Sequence, residues 1–395
     1  MHVVRPSRLV PSTSLLFVIA LGVLLSSGRA EAYPWMIKND HPACAQCHMD
    51  PSGAGLLTTY GREIGEAELP MHYGAPPSEE TLAARSGFAW GKVPTPDWLL
   101  LGVAGRYGLV AMKPGGDPQA VLMQADARAG IRWGGFRASV SLGGIDVASS
   151  PASVASQFVS REHWVGYTFG SGALTVRAGR LNVPFGLRTV EHTFWVRQTT
   201  RVDINDTQQH GAALAFAAPR LRGEVMAILG NYQLKPASWR EHGYAGYAEF
   251  LATSWAGVGA SSLVTHADFD AVLHVANTRQ AHGLFLRVAP MDKVALLGEA
   301  DLLLDSPQGL GGAHREVALL QCDFEPRQGL HVIGAAEAKS QGLGTTRASF
   351  GGWLGLDYFF LSRLDLRVDG IRQALGHGNQ RMSVTAFIAQ LHLYI

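Results

Sequence analysis

Val121-Leu122-Met123-Gln124-Ala125-Asp126-Ala127-Arg128-Ala129-Gly130-Ile131-Arg132 decides the fold class. Every second residue from Val121 to Ile131 is apolar, and those between are mostly polar or charged. A period of two is the mark of a half-buried β-strand. The pattern returns along the chain. Phe136, Ala138, Val140 and Leu142 alternate with Arg137, Ser139, Ser141 and Gly143. Val294, Leu296, Ala300 and Leu302 alternate with residues that include Glu299 and Asp301, and Leu364, Leu366 and Val368 with Asp365, Arg367 and Asp369. Turn punctuation such as Lys113-Pro114-Gly115-Gly116 and Ser306-Pro307-Gln308-Gly309 separates these runs.

Alternation of this kind fits a soluble all-β protein or a membrane barrel. Three features favour the barrel. Strand patterns of about ten residues recur with a helix-free interior, as spanning strands require. Aromatic residues, among them Tyr107, Trp133, Trp164, Tyr167, Trp255, Trp353 and Tyr358, gather near strand ends like interfacial girdles. The last residues, Phe387, Ala389, Leu391, Leu393 and Ile395, form an apolar strand face with Gln390 and His392 opposite. In lipid every backbone group must find a partner, so a strand protein has to close on itself. The expected fold is all-β, an antiparallel outer-membrane barrel over residues 96–395. At roughly 20 residues per strand and turn it holds about 14–16 strands.

The remaining composition narrows the function classes. Basic and acidic residues nearly balance, 33 against 32, which argues against nucleic acid as a partner. Residues 1–32 read as a signal peptide, with Arg5 and Arg8, an apolar run Leu15 to Leu25, and Ala30-Glu31-Ala32 as a cleavage signature. Pro/Gly-rich stretches at Tyr73 to Pro77 and Val93 to Pro96 set a segment of residues 33–95 apart from the barrel. One short helix is expected within it, over Leu56 to Glu66. The segment is too small to fold unaided, which points to packing within or against the barrel.

That segment carries Cys44-Ala45-Gln46-Cys47-His48. Two thiols at this spacing can bond the two vinyl groups of one haem, and the adjacent His can ligate its iron. Zinc would need four ligands, and no second Cys/His pair at ligand spacing is present. The chain has three cysteines, so Cys322 has no partner once this pair is assigned; it alternates with Leu320 and Phe324 and is expected to face lipid. One covalent haem c is therefore expected on Cys44 and Cys47, with His48 as proximal ligand. His72 is the first choice for the distal ligand; Met36, His41, Met71, His163, His192 and His210 are other candidates. The polar run from Arg177 to Gly211 interrupts the strand pattern. An exposed loop with solvated charges is the plainer reading, and an inward fold that narrows the lumen is the other.

A cleaved signal, one Cys-x-x-Cys-His near the mature start and a barrel of some 300 residues together resemble the fused monohaem cytochrome c–porins of bacterial outer membranes, whose best-known members oxidise iron. The run Cys44 to Arg62, with Asp50-Pro51-Ser52-Gly53 and Tyr60-Gly61-Arg62, is similar to the haem region of porin-like cytochromes of Gram-negative bacteria. The resemblance implies an outer-membrane location, an extracellular donor such as Fe(II), and a periplasmic c-type cytochrome as partner. No catalytic triad or phosphate loop appears, which points to electron transfer rather than substrate transformation. A diffusion porin with the haem segment as a plug, and a haem peroxidase-like enzyme, are the alternatives.

Overall fold

A computed structural model describes residues 33–41, 44–115, 117–144, 158–170, 172–191, 193–203, 207–232, 240–340, 348–377 and 380–395. The expected signal peptide and His192 lie outside these residues.

The strands are β1 (Leu99–Lys113), β2 (Gln119–Trp133), β3 (Phe136–Gly144), β4 (Phe158–Val159), β5 (His163–Phe169), β6 (Leu174–Leu181), β7 (Gln209–Ala217), β8 (Leu221–Gly230) and β9 (His242–Thr253). They continue as β10 (Ala256–Ala267), β11 (Asn277–Met291), β12 (Val294–Pro307), β13 (Ala313–Arg327), β14 (Leu330–Ser340), β15 (Ser349–Leu361), β16 (Leu364–His377) and β17 (Gln380–Tyr394). Neighbours in sequence pair antiparallel throughout. β4 and β5 lie end to end against β3, so the seventeen pieces make sixteen staves. β1 pairs with β17 from Ala104↔Tyr394 to Lys113↔Thr385, which closes the sheet and removes both edges.

The faces are inverted relative to a soluble protein. Leu284 and Leu354 are each 66% exposed on the outer wall, with Val103, Leu109, Leu320 and Leu391 also outward. Arg177, Arg222, Glu224, Glu249, Arg287, Glu299, Asp301 and Asp323 are buried inside. An apolar outside around a polar inside is the signature of a lipid-embedded barrel. Among the described residues no helix is long and apolar enough to cross a membrane. Cys322 lies on the outer face between Leu320 and Phe324.

Three sequence-based expectations need correction. Met123 was placed on the face of Val121 and Ala125, but it is the extra residue of a bulge opposite Arg106 and Tyr107 and lines a pocket inside the lumen. Trp164 and Trp353 do not belong to a girdle. Both are buried inside, Trp164 under the Arg177 guanidinium and Trp353 donating from Nε1 to Glu337 at 2.6 Å. Arg177 and Arg180 do not interrupt a strand. They are inward residues of β6, and only 182–208 is a connection.

One end of the barrel has short links, such as 134–135, 254–255, 292–293, 328–329 and 362–363. The other carries longer ones, including 182–208, 231–241 and 268–276. The N-terminal segment enters at the short-turn mouth. Its first turn, Pro34–Asn39, buries Trp35, Met36 and Ile37 against Ala289, Ala295 and Phe359. Lys38 places Nζ 2.8 Å from both Asp323 Oδ1 and Glu325 Oε2, with no solvent exposure of its side chain. Helix α1 (Thr59–Glu68) follows, and helix α2 (Glu79–Arg85) lies where a plain linker was expected. Arg363, at the β15–β16 turn, donates to the carbonyls of Arg85 and Gly87.

Lys38→Ala leaves two carboxylates buried without their cation, at a cost of about 3–5 kcal/mol. The expected result is faster proteolysis of the N-terminal segment in detergent, with the heat-modifiable gel shift of the barrel retained. Equal cleavage rates for the variant and the parent would contradict this docking.

Candidate functional site

The Cys-x-x-Cys-His stretch is folded into a compact hairpin. His48 bridges Leu57, Met49 N donates to Leu56 O at 2.9 Å, and Thr58 N donates to Cys47 O at 2.8 Å. Three successive residues, Gly53, Ala54 and Gly55, have positive φ and turn the chain back. At Gly55 a Cβ would meet the Glu162 carboxylate at 2.8 Å, so glycine is required twice over. Thr58 then caps α1, its hydroxyl accepting from Gly61 N at 3.1 Å. Gly61 lies directly on Cys47: a Cβ there would stand 2.5 Å from the Cys47 carbonyl oxygen.

The tip of the hairpin is tied to the wall and to the 182–208 connection. Asp50 accepts from Asn182 Nδ2 at 2.9 Å and pairs with Arg177 at 3.1 Å, and Arg177 also pairs with Glu224 of β8. Arg177 and Arg188 hold the Asp50 carboxyl below its usual range against the opposing effect of burial. Ser52 Oγ accepts from Arg188 at 2.7 Å. The 182–208 connection is therefore folded inward, which corrects the plainer sequence reading. Phe185, Phe194 and Val196 are wholly buried. Its helix α3 (Trp195–Thr200), not expected from the sequence, packs on β12 to β14. Glu299 accepts from Arg197, and Glu337 from the Trp195 backbone. At the far mouth Arg201 forks onto Asp270 at 3.0 and 2.9 Å.

Between the hairpin, α1 and the β1–β2–β17 wall lies a cavity of about 1240 Å³ of atom-free space, its mouth included. Cys47 and His48 line it, with Leu56, Leu57, Ile64 and Leu69 as apolar walls. Five arginines also line it: Arg62, Arg106, Arg128, Arg188 and Arg363. No Asp or Glu does among the described residues. The Nε atoms of Arg62, Arg128, Arg188 and Arg363 are buried without a hydrogen-bond partner. Burial pushes the His48 imidazole down to about 4, and Arg128 adds to the effect, so the ring is neutral near pH 7. Its Nδ1 is buried without a partner.

This lining fits a haem: a neutral imidazole, a thiol, apolar walls, and cations for two carboxylates. One residue is out of place. Cys44 is absent from this cavity; its Sγ lies 3.6 Å from Arg222 Nη1, beside Tyr247 in a smaller pocket. Attachment at both cysteines requires the Cys44–Gln46 turn to reorient.

The expected distal candidates are scattered. His72 does not line the cavity. It sits at the short-turn mouth, with Nε2 3.4 Å from Ala67 O and its carbonyl accepting from Arg327. His41 pairs with Glu68 at 2.8 Å. Met71 N donates to Phe359 O at 2.9 Å. His163 and His210 face each other, Nε2 to Nε2 at 3.1 Å, on β5 and β7. Met36 alone of that set lines the cavity. Sequence named Arg62 only within the Tyr60-Gly61-Arg62 resemblance and Arg128 and His392 only as polar strand positions; Arg106, Arg188 and Arg363 were not singled out. Their only local signal is a polar residue on the inward face of a strand, or in α1 or a connection.

The class defined by these features is a sixteen-stave porin-like barrel with an N-terminal segment seated in its bore. No family model and no curated protein matches the chain. Solved structures do. A loop-deletion mutant of OmpT, an outer membrane protein of Vibrio cholerae, is 10% identical with a TM-score of 0.59, over 75% of this chain and 99% of that one. The outer membrane channel DcaP of Acinetobacter baumannii is 11% identical, with a TM-score of 0.56 over 75% and 97%. An anion-selective porin from Comamonas acidovorans is 13% identical, with a TM-score of 0.55 over 75% and 99%. At these identities the likeness is one of fold.

Gly61→Val drives a branched side chain into the Cys47 backbone and lifts α1. In haem-free protein with Cys44 and Cys322 replaced by Ala, maleimide labelling of Cys47 should quicken at least about tenfold, equivalent to roughly 1.4 kcal/mol of lost protection. An unchanged rate would show that α1 does not shield the thiol.

Proposed function

We propose that the protein binds one haem c in the cavity beside Cys47 and His48 and transfers electrons at the outer membrane of a Gram-negative bacterium. The observation that carries this reading is the cavity lining: five arginines and, among the described residues, no Asp or Glu around a Cys-His pair and apolar walls. A bound haem would supply one-electron Fe(III)/Fe(II) exchange, taking one electron from an outside donor such as Fe(II) and giving one to a periplasmic c-type cytochrome.

The chain's own residues define the rest. Cys47, with Cys44 after reorientation, supplies the thioether sulfurs. His48 offers a neutral nitrogen to iron. The arginines bind the two propionates. Leu56, Leu57, Ile64 and Leu69 exclude water and hold the ring plane. In barrels of this kind the short turns face the periplasm. The haem segment, anchored at the short-turn mouth by Lys38 and Arg363, therefore sits toward the periplasmic side. The hydrocarbon is about 30 Å thick, so a donor from outside must approach through the lumen.

The likeness to porins favours a second reading, diffusion through the barrel with the segment as a plug. The contacts of Asp50 and Ser52 with Asn182 and Arg188 across the bore weigh against it. The two readings separate in one preparation. Protein made in a host that matures c-type cytochromes is expected to keep haem on a denaturing gel and to reduce a haem acceptor trapped in liposomes when ferrous iron is added outside. Cys47→Ala should abolish most of that current. Solute flux without haem or electron passage would establish the porin reading instead.

A further inference from the structure

We infer that His392 of β17 is the second axial ligand of the haem iron, opposite in role to His48. The inference rests on the haem reading of the cavity and names a residue that reading leaves open.

His392 lines the same cavity as Cys47 and His48. It stands in a row of inward residues at the closing seam of the barrel: its register partner on β1 is Arg106 and on β16 is Asp365. Asp365 is buried, and its Oδ1 lies 3.4 Å from His392 Nδ1. A metal-bound His almost always gives its other ring N–H to a carboxylate or carbonyl, which fixes the tautomer and orients the ring. Asp365 is placed for that role, with Nε2 as the nitrogen left to iron. The Tyr394 ring, 5.0 Å away between centroids, braces the imidazole.

The other donors are explained without iron. Met36 lines the cavity, but its side chain belongs to the apolar cluster with Trp35, Ile37 and Leu69. His72 lies outside the cavity. Among the described residues His392 is the one histidine besides His48 that lines the cavity.

The test compares parent protein, His392→Ala, His392→Met and Met36→Leu, all produced with haem maturation in detergent. Covalent haem on a denaturing gel reports the cavity reading independently of the axial ligand. Absorption and electron paramagnetic resonance of the oxidised protein report the ligand. The parent and Met36→Leu should be low-spin with two imidazoles. His392→Ala should become high-spin and return to low-spin with added imidazole. His392→Met should show thioether ligation and a higher potential, which keeps the test open if the alanine variant misfolds. Haem present with an unchanged low-spin spectrum in His392→Ala and His392→Met, or a high-spin Met36→Leu, would overturn the assignment of His392. Parent protein without covalent haem would instead overturn the cavity reading beneath it.

Discussion

A single guanidinium joins the parts of this molecule. Arg177 is fully buried in the bore and ties Asp50 of the N-terminal hairpin to Glu224 of the wall. Removing the guanidinium would take the paired cation from both acids, and such losses cost about 3–5 kcal/mol. The pair therefore sets where the hairpin stops. With Asp50 fixed, Ser52 meets Arg188 and Asn182 meets Asp50, so the inward connection and the hairpin position each other. The cavity beside Cys47 and His48 is the space left between these two elements and the closing seam.

The barrel itself follows from a different constraint. Lipid offers no partner to a free N–H or C=O, and the β1–β17 pairing meets that demand. Because the outside is apolar, the charged residues must turn inward, and the interior holds sets of paired ions beside apolar clusters such as that of Phe185, Phe194 and Val196. Arg222 and Arg287 share Glu249, and Lys38 shares Asp323 and Glu325. Buried ion pairs of this kind are modest contributors to net stability, yet they are selective about register. They make the bore a specific receptor for one segment.

Much of the architecture was legible in sequence because a period of two survives translation into structure residue by residue. Leu364, Leu366 and Val368 against Asp365, Arg367 and Asp369 gave both the strand and its faces. The pattern failed where a local event shifts it. The Met123 bulge shifts the phase of the strand, so that Leu122 rather than Val121 shares the outer face with Tyr107, and no property of Met announces a bulge. Arg177 to Gly211 reads as a polar loop because its partners, Asp50, Glu299 and Glu337, are far away in sequence. Trp164 and Trp353 resemble girdle residues until Arg177 and Glu337 are seen beside them. The Cys-x-x-Cys-His spacing is visible in the sequence, while what surrounds it, and the separation of Cys44 from Cys47 and His48, is not. Arg62, Arg106, Arg128, Arg188 and Arg363 come from a helix, two strands, a connection and a turn, and only the closed barrel gathers them.

The measurement that bears most directly on this account is a density map of the haem-matured protein in detergent or nanodisc. If the proposed haem is bound, one planar group is expected between His48 and the β1–β2–β17 wall, its carboxylates among the arginines and Cys47 bonded to its edge. A map with that space filled by side chains, or with the planar group outside the barrel, would contradict it.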